Sequence, residues 1–235
     1  MVFQHGASDH PGIFRDLFAA DQIQWDAIDL SKGESIPDLS PYAALWVMGG
    51  MMNVWQEEQY PWLKQEKAAI RAAVIDKNLP YFGICLGHQL LADALGGEVG
   101  VATQAEIGLL EVEPTAIGQQ SPFLAGLPTP IKCLQWHGAE VKTPPPHAQV
   151  LACSSACAVQ SLLIGDRAFG IQYHAEVLST TLAEWCTDPA SKGMLIDHLG
   201  EQALPKLNQA VQTHLQTLNS NARKLYQNWK AVVLD

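Results

Sequence analysis

The feature that most constrains the fold is a cysteine, Cys85, with one glycine two residues before it and another two residues after it. An apolar run leads into Cys85, and a stretch of helical character follows it. Glycines on both sides allow a very tight turn from strand to helix, which pushes the central side chain out above a sheet. The positive end of the following helix favours the thiolate form of such a cysteine. We therefore predict that Cys85 is a nucleophile.

A nucleophile of this kind needs a general base and a group that orients the base. The run around Ile171 and Tyr173 alternates apolar and polar residues, as in a strand, and ends at His174. If the extended geometry continues, His174 and Glu176 point to the same side, because side chains alternate along a strand. The carboxylate would then accept the Nδ1 proton of the imidazole and leave Nε2 free. We predict that His174 is the base and that Glu176 orients it.

These segments resemble the class I glutamine amidotransferases, a family with a Cys-His-Glu triad. The specific part of the match comprises Gly83, Ile84, Cys85, Leu86, Gly87, His88 and Gln89, followed later by His174, Ala175 and Glu176. Weaker matches in the family's order are Phe3-Gln4-His5, Met48-Gly49-Gly50-Met51, Glu106-Ile107-Gly108 and Trp136-His137-Gly138. Apart from the first of these, the ordered matches run from about residue 44 to residue 176.

Two positions depart from the family's pattern. Ala175 stands where the family commonly has proline, and its side chain would point away from the site. Ala139 stands where the family's His-Gly-Asp turn has aspartate, and Glu140 follows one place later. The role of the family's aspartate is therefore not assigned to a residue of this chain.

The resemblance also implies roles for residues around the triad. The amides of Gly50 and Leu86 would form the oxyanion hole, since a glycine lets a backbone N–H approach a substrate oxygen without interference from a Cβ atom. The implied substrate contacts are Gly49, Gln89, Trp136 and His137. Each has a plainer interpretation, as a turn glycine, a capping glutamine, or a core or turn residue. His88 follows Cys85 too closely to have the opposed geometry that a base needs.

Composition and charge argue against several classes of protein. The chain of 235 residues is 48% hydrophobic and 16% charged, which is enough apolar material for a large core without general disorder. The net charge is -10 and Lys and Arg are not clustered, so we predict no nucleic-acid binding. No uncharged apolar run approaches the roughly 20 residues that cross a bilayer, so we predict no membrane contact.

The cysteines and the first residues of the chain indicate its compartment. Five cysteines, an odd number, and an opening without a basic and an apolar signal region predict a reduced, cytoplasmic protein. Cys153 and Cys157 lack the second pair of ligands that a structural zinc needs, so we predict no metal. The sequence has no Walker loop and no G-x-G-x-x-G motif, so we predict no cofactor.

Strands alternate with helical patterns in the first hundred residues, which predicts a parallel sheet covered on both faces. Residues 99–171 are rich in short strands and turns and predict an added antiparallel section. With the resemblance, this gives a flavodoxin-like, doubly wound α/β fold with Cys85 at the carboxyl end of a strand, where such sheets bind ligands. Residues 63–77 are predicted to form one helix with a stripe of Leu63, Lys67, Ile70 and Val74.

Residues 201–235 have a different pattern. A stripe recurs every seven residues at Leu204, Val211, Leu218 and Leu225, which predicts an amphipathic helix. Ser220 and Asn221 are predicted to interrupt this helix. We predict an amidotransferase-like domain at residues 1–200 and a helical extension at residues 201–235 that packs on it. A homodimer or partner interface is the alternative use of the stripe.

The resemblance implies hydrolysis of the glutamine side-chain amide through a Cys85 thioester, with ammonia passed to a separate acceptor or synthetase. One alternative is a stand-alone γ-glutamyl hydrolase or peptidase that acts on a small conjugate, which needs the same triad. The other is a non-catalytic binding or regulatory protein, against which the presence of all three triad residues speaks. The expected ligand is therefore glutamine or another small γ-glutamyl molecule.

Overall fold

The computed structural model describes residues 1–233, which form nine β-strands and six α-helices. The strands are β1 (Val2–Gln4), β2 (Ala27–Asp29), β3 (Leu45–Val47), β4 (Tyr81–Ile84), β5 (Glu98–Pro114), β6 (Ile131–Thr143), β7 (Gln149–Cys153), β8 (Ser161–Ile164) and β9 (Ala168–Ile171). The helices are α1 (Phe14–Ala20), α2 (Trp62–Arg71), α3 (Leu86–Ala94), α4 (Thr181–Trp185), α5 (Pro189–Leu199) and α6 (Ala203–Val233).

All nine strands belong to one sheet in the order β2-β1-β3-β4-β9-β8-β7-β5-β6. The strands from β2 to β9 in this order pair in parallel, and those from β9 to β6 pair antiparallel. The carboxyl ends of the parallel strands therefore meet at one edge, where the chain turns into loops and helices. The predicted parallel sheet with an added antiparallel section is confirmed.

Side chains of β3 show how the sheet separates two hydrophobic cores. Leu45 and Val47 are buried with residues of α2 and α3 on one face, whereas Trp46 is buried with residues of α1 and α6 on the other. Alternate side chains of a strand point to opposite faces, so helices cover both sides of the parallel strands. The prediction of a flavodoxin-like, doubly wound α/β fold is confirmed.

The helix predicted over residues 63–77 differs from the observed one. α2 ends at Arg71, and one turn of π-helix, Ala72–Asp76, completes the segment. Leu63 and Ile70 of the predicted stripe are buried, but so is a charged side chain, Glu66. A buried carboxylate needs partners, because burial of an unpaired charge is costly.

α6 is continuous from Ala203 to Val233, so the predicted interruption at Ser220 and Asn221 is wrong. Asn221 donates a hydrogen bond to the carbonyl oxygen of Lys132 at 3.3 Å, and the helix packs on the sheet through this region. Neither α6 nor another helix within residues 1–233 is long and apolar enough to cross a membrane. The division at residue 200 stays a prediction, and residues 234–235 of the predicted extension lie outside the described residues.

Candidate active site

The turn at Cys85 has the geometry that its two glycines predict. Cys85 lies between β4 and α3 and has a φ of 51° and a ψ of -102°. A Cβ atom on Gly83 would lie 2.6 Å from the carbonyl oxygen of Gly87, and one on Gly87 would lie 2.1 Å from the carbonyl oxygen of Val47. Neither position accepts a larger residue without movement of the backbone. The thiol stands at the N-terminus of α3.

His174 and Glu176 form a buried pair. The Nδ1 atom of His174 lies 2.6 Å from Oε1 of Glu176. The two side chains meet as the alternation predicts, although β9 itself ends at Ile171. The chain bends at Gln172 and Tyr173 and then pairs with β6, because the N–H of His174 donates to the carbonyl oxygen of Leu134 at 2.8 Å.

The surroundings of His174 favour its charged form. Burial alone would lower the pKa of this histidine, but the charges of Glu176 and Cys85 outweigh burial and raise the pKa to about 10. At neutral pH the ring is therefore an imidazolium, which can donate a proton to a leaving group. Trp185 packs edge-on against the ring, with centroids 4.5 Å apart, and covers one side of it.

Gly49 and Gly50 come after β3, with Met48 between the strand and Gly49, and they lie beside the triad. A Cβ atom on Gly49 would be 3.2 Å from Cε1 of His174 and 3.7 Å from Cβ of Cys85. The backbone at Gly49 is therefore close to both Cys85 and His174, which the predicted oxyanion role of this loop requires.

Leu86 is the first residue of α3, so its N–H is one of the amides that have no acceptor inside the helix. Leu86 directly follows Cys85, so its amide would lie next to a carbon that the thiol attacks.

A cavity of about 400 Å³ opens beside the thiol. Six of the predicted site residues line it, namely Cys85, His174, Glu176, Gly49, Gly50 and Trp136. The other three are buried and do not line it, namely Leu86, Gln89 and His137. The structure thus brings the predicted residues together around one cavity, and their individual roles stay predictions.

Gln89 reaches the thiol only through a second glutamine. Its side-chain amide donates to the carbonyl oxygen of Ala139 at 3.1 Å and to Oε1 of Gln172 at 3.0 Å. The amide of Gln172 in turn donates to Sγ of Cys85 at 3.6 Å. These two bonds use both N–H donors of the Gln89 amide, so donation from Gln89 to a substrate would require the loss of one of them. Sequence reasoning misses Gln172, whose signal is a polar residue inside a buried apolar run.

Two further histidines lie near the site without lining the cavity. His137 has its Nδ1 atom 2.9 Å from the carbonyl oxygen of Ala139. Its Nε2 atom is 3.2 Å from Oε2 of Glu106. This distance is short enough for an ion pair, but the two groups are not aligned for a hydrogen bond. His88 is fully buried, and burial lowers its pKa to about 3, so the ring is neutral. That His88 is not the base stays a prediction.

Sequence reasoning also misses three acidic or basic groups near the thiol. The Nδ1 atom of His5 is 2.6 Å from the carbonyl oxygen of Gly49, and its Nε2 atom is 3.0 Å from Oε1 of Glu66. Asp9 lines the cavity, and burial raises the pKa of its carboxyl group. No local sequence pattern predicts that these residues lie near the site, because the contacts of His5 join segments far apart in the chain.

Comparison with known proteins identifies the family. The model of the family "Glutamine amidotransferase class-I" matches residues 18–187. One subunit of a GMP synthase (glutamine-hydrolyzing) from Sulfolobus acidocaldarius is 34% identical over 157 residues, which cover 66% of this chain and 78% of that protein. A GMP synthase (glutamine-hydrolyzing) from Aeropyrum pernix is 36% identical over 169 residues, which cover 72% of this chain but only 29% of that protein.

A solved structure of the same family matches this chain over its whole length. The glutamine amidotransferase from Thermotoga maritima matches with a TM-score of 0.86 at 28% identity, and the match covers 100% of this chain and 97% of that one. Fold and site together define the class: a doubly wound α/β domain with a cysteine on a strand-to-helix turn beside a buried histidine–glutamate pair. The chain belongs to the class-I glutamine amidotransferase family. The predicted family and the predicted enzyme class are confirmed.

Proposed function

We propose that this chain hydrolyses the side-chain amide of glutamine through a thioester on Cys85 and releases ammonia for a separate acceptor. One observation carries the proposal: the thiol stands on a strained turn beside the buried His174–Glu176 pair, and all three side chains line one cavity. A strained turn at a thiol and a histidine with a raised pKa, together in one cavity, favour catalysis over a binding or regulatory role.

The reaction has two halves. The thiolate of Cys85 attacks the amide carbon, and the amides of Gly50 and Leu86 stabilise the charge on the oxygen. The C–N bond then breaks, and the imidazolium of His174 gives its proton to the leaving nitrogen, so that ammonia departs. Neutral His174 next removes a proton from a water molecule, whose oxygen attacks the thioester. Glutamate leaves, and the thiolate and the imidazolium are restored, with Glu176 orienting the ring throughout.

Asp9 is the group best suited to bind the α-ammonium group of glutamine. It lines the cavity and lies near enough to His5 and His174 for their charges to lower its pKa, although burial outweighs them and raises it. An ammonium group would stabilise the ionised carboxylate. Trp136 and Trp185, in edge-to-face contact with centroids 5.5 Å apart, give the cavity an apolar wall.

Delivery of ammonia to a separate synthetase is supported by the relatives. The Sulfolobus acidocaldarius protein is named as one subunit of a synthase, and this chain spans 29% of the longer Aeropyrum pernix enzyme. The loop after Gly50 offers a surface for such a partner, because Met51 and Trp55 are each 43% exposed and Met51 borders the cavity. A homodimer is an independent prediction that this proposal does not need.

A stand-alone γ-glutamyl hydrolase is the second candidate, and the charge of the cavity favours it. Asp9 and Asp188 line the cavity in addition to Glu176, whereas its lining within residues 1–233 contains no lysine and no arginine. A conjugate whose leaving group is a cationic amine would be attracted to such walls.

One experiment separates the two candidates. Ammonia release from glutamine and glutamate release from a panel of γ-glutamyl amines and dipeptides are measured with the isolated chain, with Cys85→Ala as the control. Glutamine turnover that rises when a copurifying synthetase is added supports ammonia delivery. Conjugate turnover at least about tenfold above glutamine turnover supports the second candidate. Turnover no greater than that of Cys85→Ala for every compound contradicts both.

A further inference from the structure

A second buried histidine–glutamate pair, His5 and Glu66, lies on the other side of the Gly49–Gly50 loop from the His174–Glu176 pair. The side chains of His5 and Glu66 are both completely inaccessible, and Nε2 of His5 is 3.0 Å from Oε1 of Glu66. Trp62, one helical turn before Glu66 on α2, stacks on the imidazole with centroids 5.5 Å apart. The ring is therefore fixed by a carboxylate at one edge and by an indole on its face.

The free edge of the His5 ring meets backbone. Its Nδ1 atom is 2.6 Å from the carbonyl oxygen of Gly49. A carbonyl oxygen only accepts, so Nδ1 carries a proton and donates it. The partner of Nε2 is a carboxylate, which raises the pKa of His5 although burial opposes this. His5 therefore has the protonation that its contact with Gly49 requires.

The carbonyl that His5 binds belongs to the peptide unit that ends in the N–H of Gly50. This peptide is trans, so its C=O and its N–H point in opposite directions. A donor that holds the oxygen of Gly49 on one side therefore directs the N–H of Gly50 to the other. Glycines would otherwise allow this peptide to rotate, because neither residue restricts its backbone angles strongly.

Stability alone does not account for the pair. Replacement of a buried ion pair by apolar residues of similar size is often neutral or stabilising. His5 also lies directly against the loop: a Cβ atom on Gly50 would be 2.9 Å from both Cβ of His5 and Cδ2 of Leu86, the residue after Cys85. A precise orientation of the loop is a function that does require these polar groups.

We propose that His5, held by Glu66 and Trp62, is a positioning residue that keeps the Gly49–Gly50 peptide turned so that the N–H of Gly50 faces the oxyanion. The inference rests on the proposed function, because an oxyanion forms only if an amide is attacked. It assigns His5 no contact with the reacting atoms.

Four variants test the inference. His5→Phe keeps a ring on Trp62 but removes the donor, and His5→Asn restores an N–H close to the position of Nδ1. Glu66→Gln keeps a polar partner, since its amide can donate to Nε2 of a neutral ring that still donates from Nδ1. Glu66→Leu removes this anchor. The control is His147→Asn, at an exposed turn with a φ of 66° that asparagine tolerates.

Two rates are compared for each variant. The first is kcat for whichever amide the unmodified chain hydrolyses best. The second is alkylation of Cys85 by iodoacetamide, in which the thiolate displaces iodide from a saturated carbon and no oxyanion forms. In His5→Phe we expect kcat to fall by roughly tenfold to a hundredfold, with KM and the alkylation rate changed less than about threefold. We expect His5→Asn to recover part of this loss, and Glu66→Gln and the control to stay within about threefold of the unmodified chain.

Several results would overturn the inference while glutamine or conjugate hydrolysis itself is intact. These are an unchanged kcat in His5→Phe, an equal fall of hydrolysis and alkylation, or no recovery in His5→Asn. If His5→Phe does not fold, the Glu66 variants decide: kcat of Glu66→Leu should be at least about tenfold below that of Glu66→Gln at equal alkylation rates. If the unmodified chain hydrolyses no amide, the proposed function fails and this inference fails with it.

Discussion

Two buried histidine–glutamate pairs flank the same cavity, and they differ in what the second nitrogen of the imidazole meets. In the His174–Glu176 pair the free edge of the ring faces the site of the thiol, which can exchange a proton with it. In the His5–Glu66 pair the other nitrogen meets a carbonyl oxygen, which cannot. In both pairs burial lowers the pKa of the histidine, but the carboxylate together with other neighbouring groups raises it overall. We therefore expect the His174–Glu176 pair to take part in the reaction and the His5–Glu66 pair to orient the Gly49–Gly50 loop.

The largest contrast between the pairs is expected when their histidines are removed. His174→Ala loses both the acid and the base, so we expect kcat to fall by at least ~10⁴-fold, far more than in His5→Phe. Cys85→Ala/His174→Ala should be little worse than either single variant, because triad members act as a unit. Steady-state ammonia release measures both. Full activity in His174→Ala would show that another group, such as His88, is the base.

The second largest contrast is expected when the carboxylate of each pair is changed to an amide. Glu176→Gln keeps the shape of the pair but no longer stabilises the imidazolium, so we expect kcat to fall by ~10²- to 10⁴-fold with a measurable remainder. The matched change Glu66→Gln should lower kcat by no more than about threefold, because His5 need not gain or lose a proton during the reaction. Comparison of the two kcat values checks this. Equal losses would mean that the two pairs have the same kind of role.

A double variant tests whether the pairs act in separate ways. Enzymes without their triad keep a residual rate that comes from the oxyanion hole and from binding. In the His174→Ala background, His5→Phe should therefore still reduce the residual rate by roughly tenfold or more. The measurement is single-turnover hydrolysis at high enzyme concentration. No further loss would place His5 in the same unit as His174.

The pH profile should show a smaller effect that belongs to the triad alone. The pKa of His174 is raised to about 10 by Glu176 and Cys85 against the effect of burial. We expect kcat/KM to be maintained through neutral pH and to decline as the pH approaches about 10. In Glu176→Gln burial gains in relative weight, so this decline should move to lower pH. A decline at the same pH in both proteins would contradict the assignment of the raised pKa to Glu176.

The smallest expected effect is on stability. The pKa of His174 is higher in the folded chain than its ordinary value of 6.5, so the folded state binds the proton more tightly. This contribution to the free energy of unfolding is complete below pH 6.5 and is lost as the pH rises through about 10. Urea unfolding at several pH values should therefore show the difference between the unmodified chain and Glu176→Gln shrinking as pH rises. A growing difference would contradict the sign of the shift.

How far the sequence predicts the molecule depends on how local each contact is. The turn at Cys85 follows from its two flanking glycines, and the proximity of His174 and Glu176 follows from alternation along extended chain. Leu134 on β6 accepts the hydrogen bond that fixes His174 after the bends beyond β9, and no local pattern reveals that neighbour. Ser220 and Asn221 predict a break in a helix, but packing on the sheet outweighs their weak helix propensity.

The missed residues share a cause. Glu66 has the spacing of the buried face of α2, but the predicted stripe leaves it out because it is charged. Its partner His5 directly follows β1, 61 positions earlier. Only the folded sheet brings these two segments together. Gln172 and Gln89 are linked across 83 positions in the same way. Motifs therefore identify the groups that react, whereas the groups that support them emerge from tertiary structure.

The most direct test of the account is the site of reaction with a glutamine-like diazo-ketone, followed by peptide mapping. We expect Cys85 to be labelled first and glutamine to protect it, since burial raises the pKa of Cys133, Cys157 and Cys186 and leaves those thiols protonated. His174→Ala should react more slowly at Cys85 than the unmodified chain does. Labelling of Cys153 or Cys186 first, with Cys85 untouched, would contradict the catalytic role of Cys85.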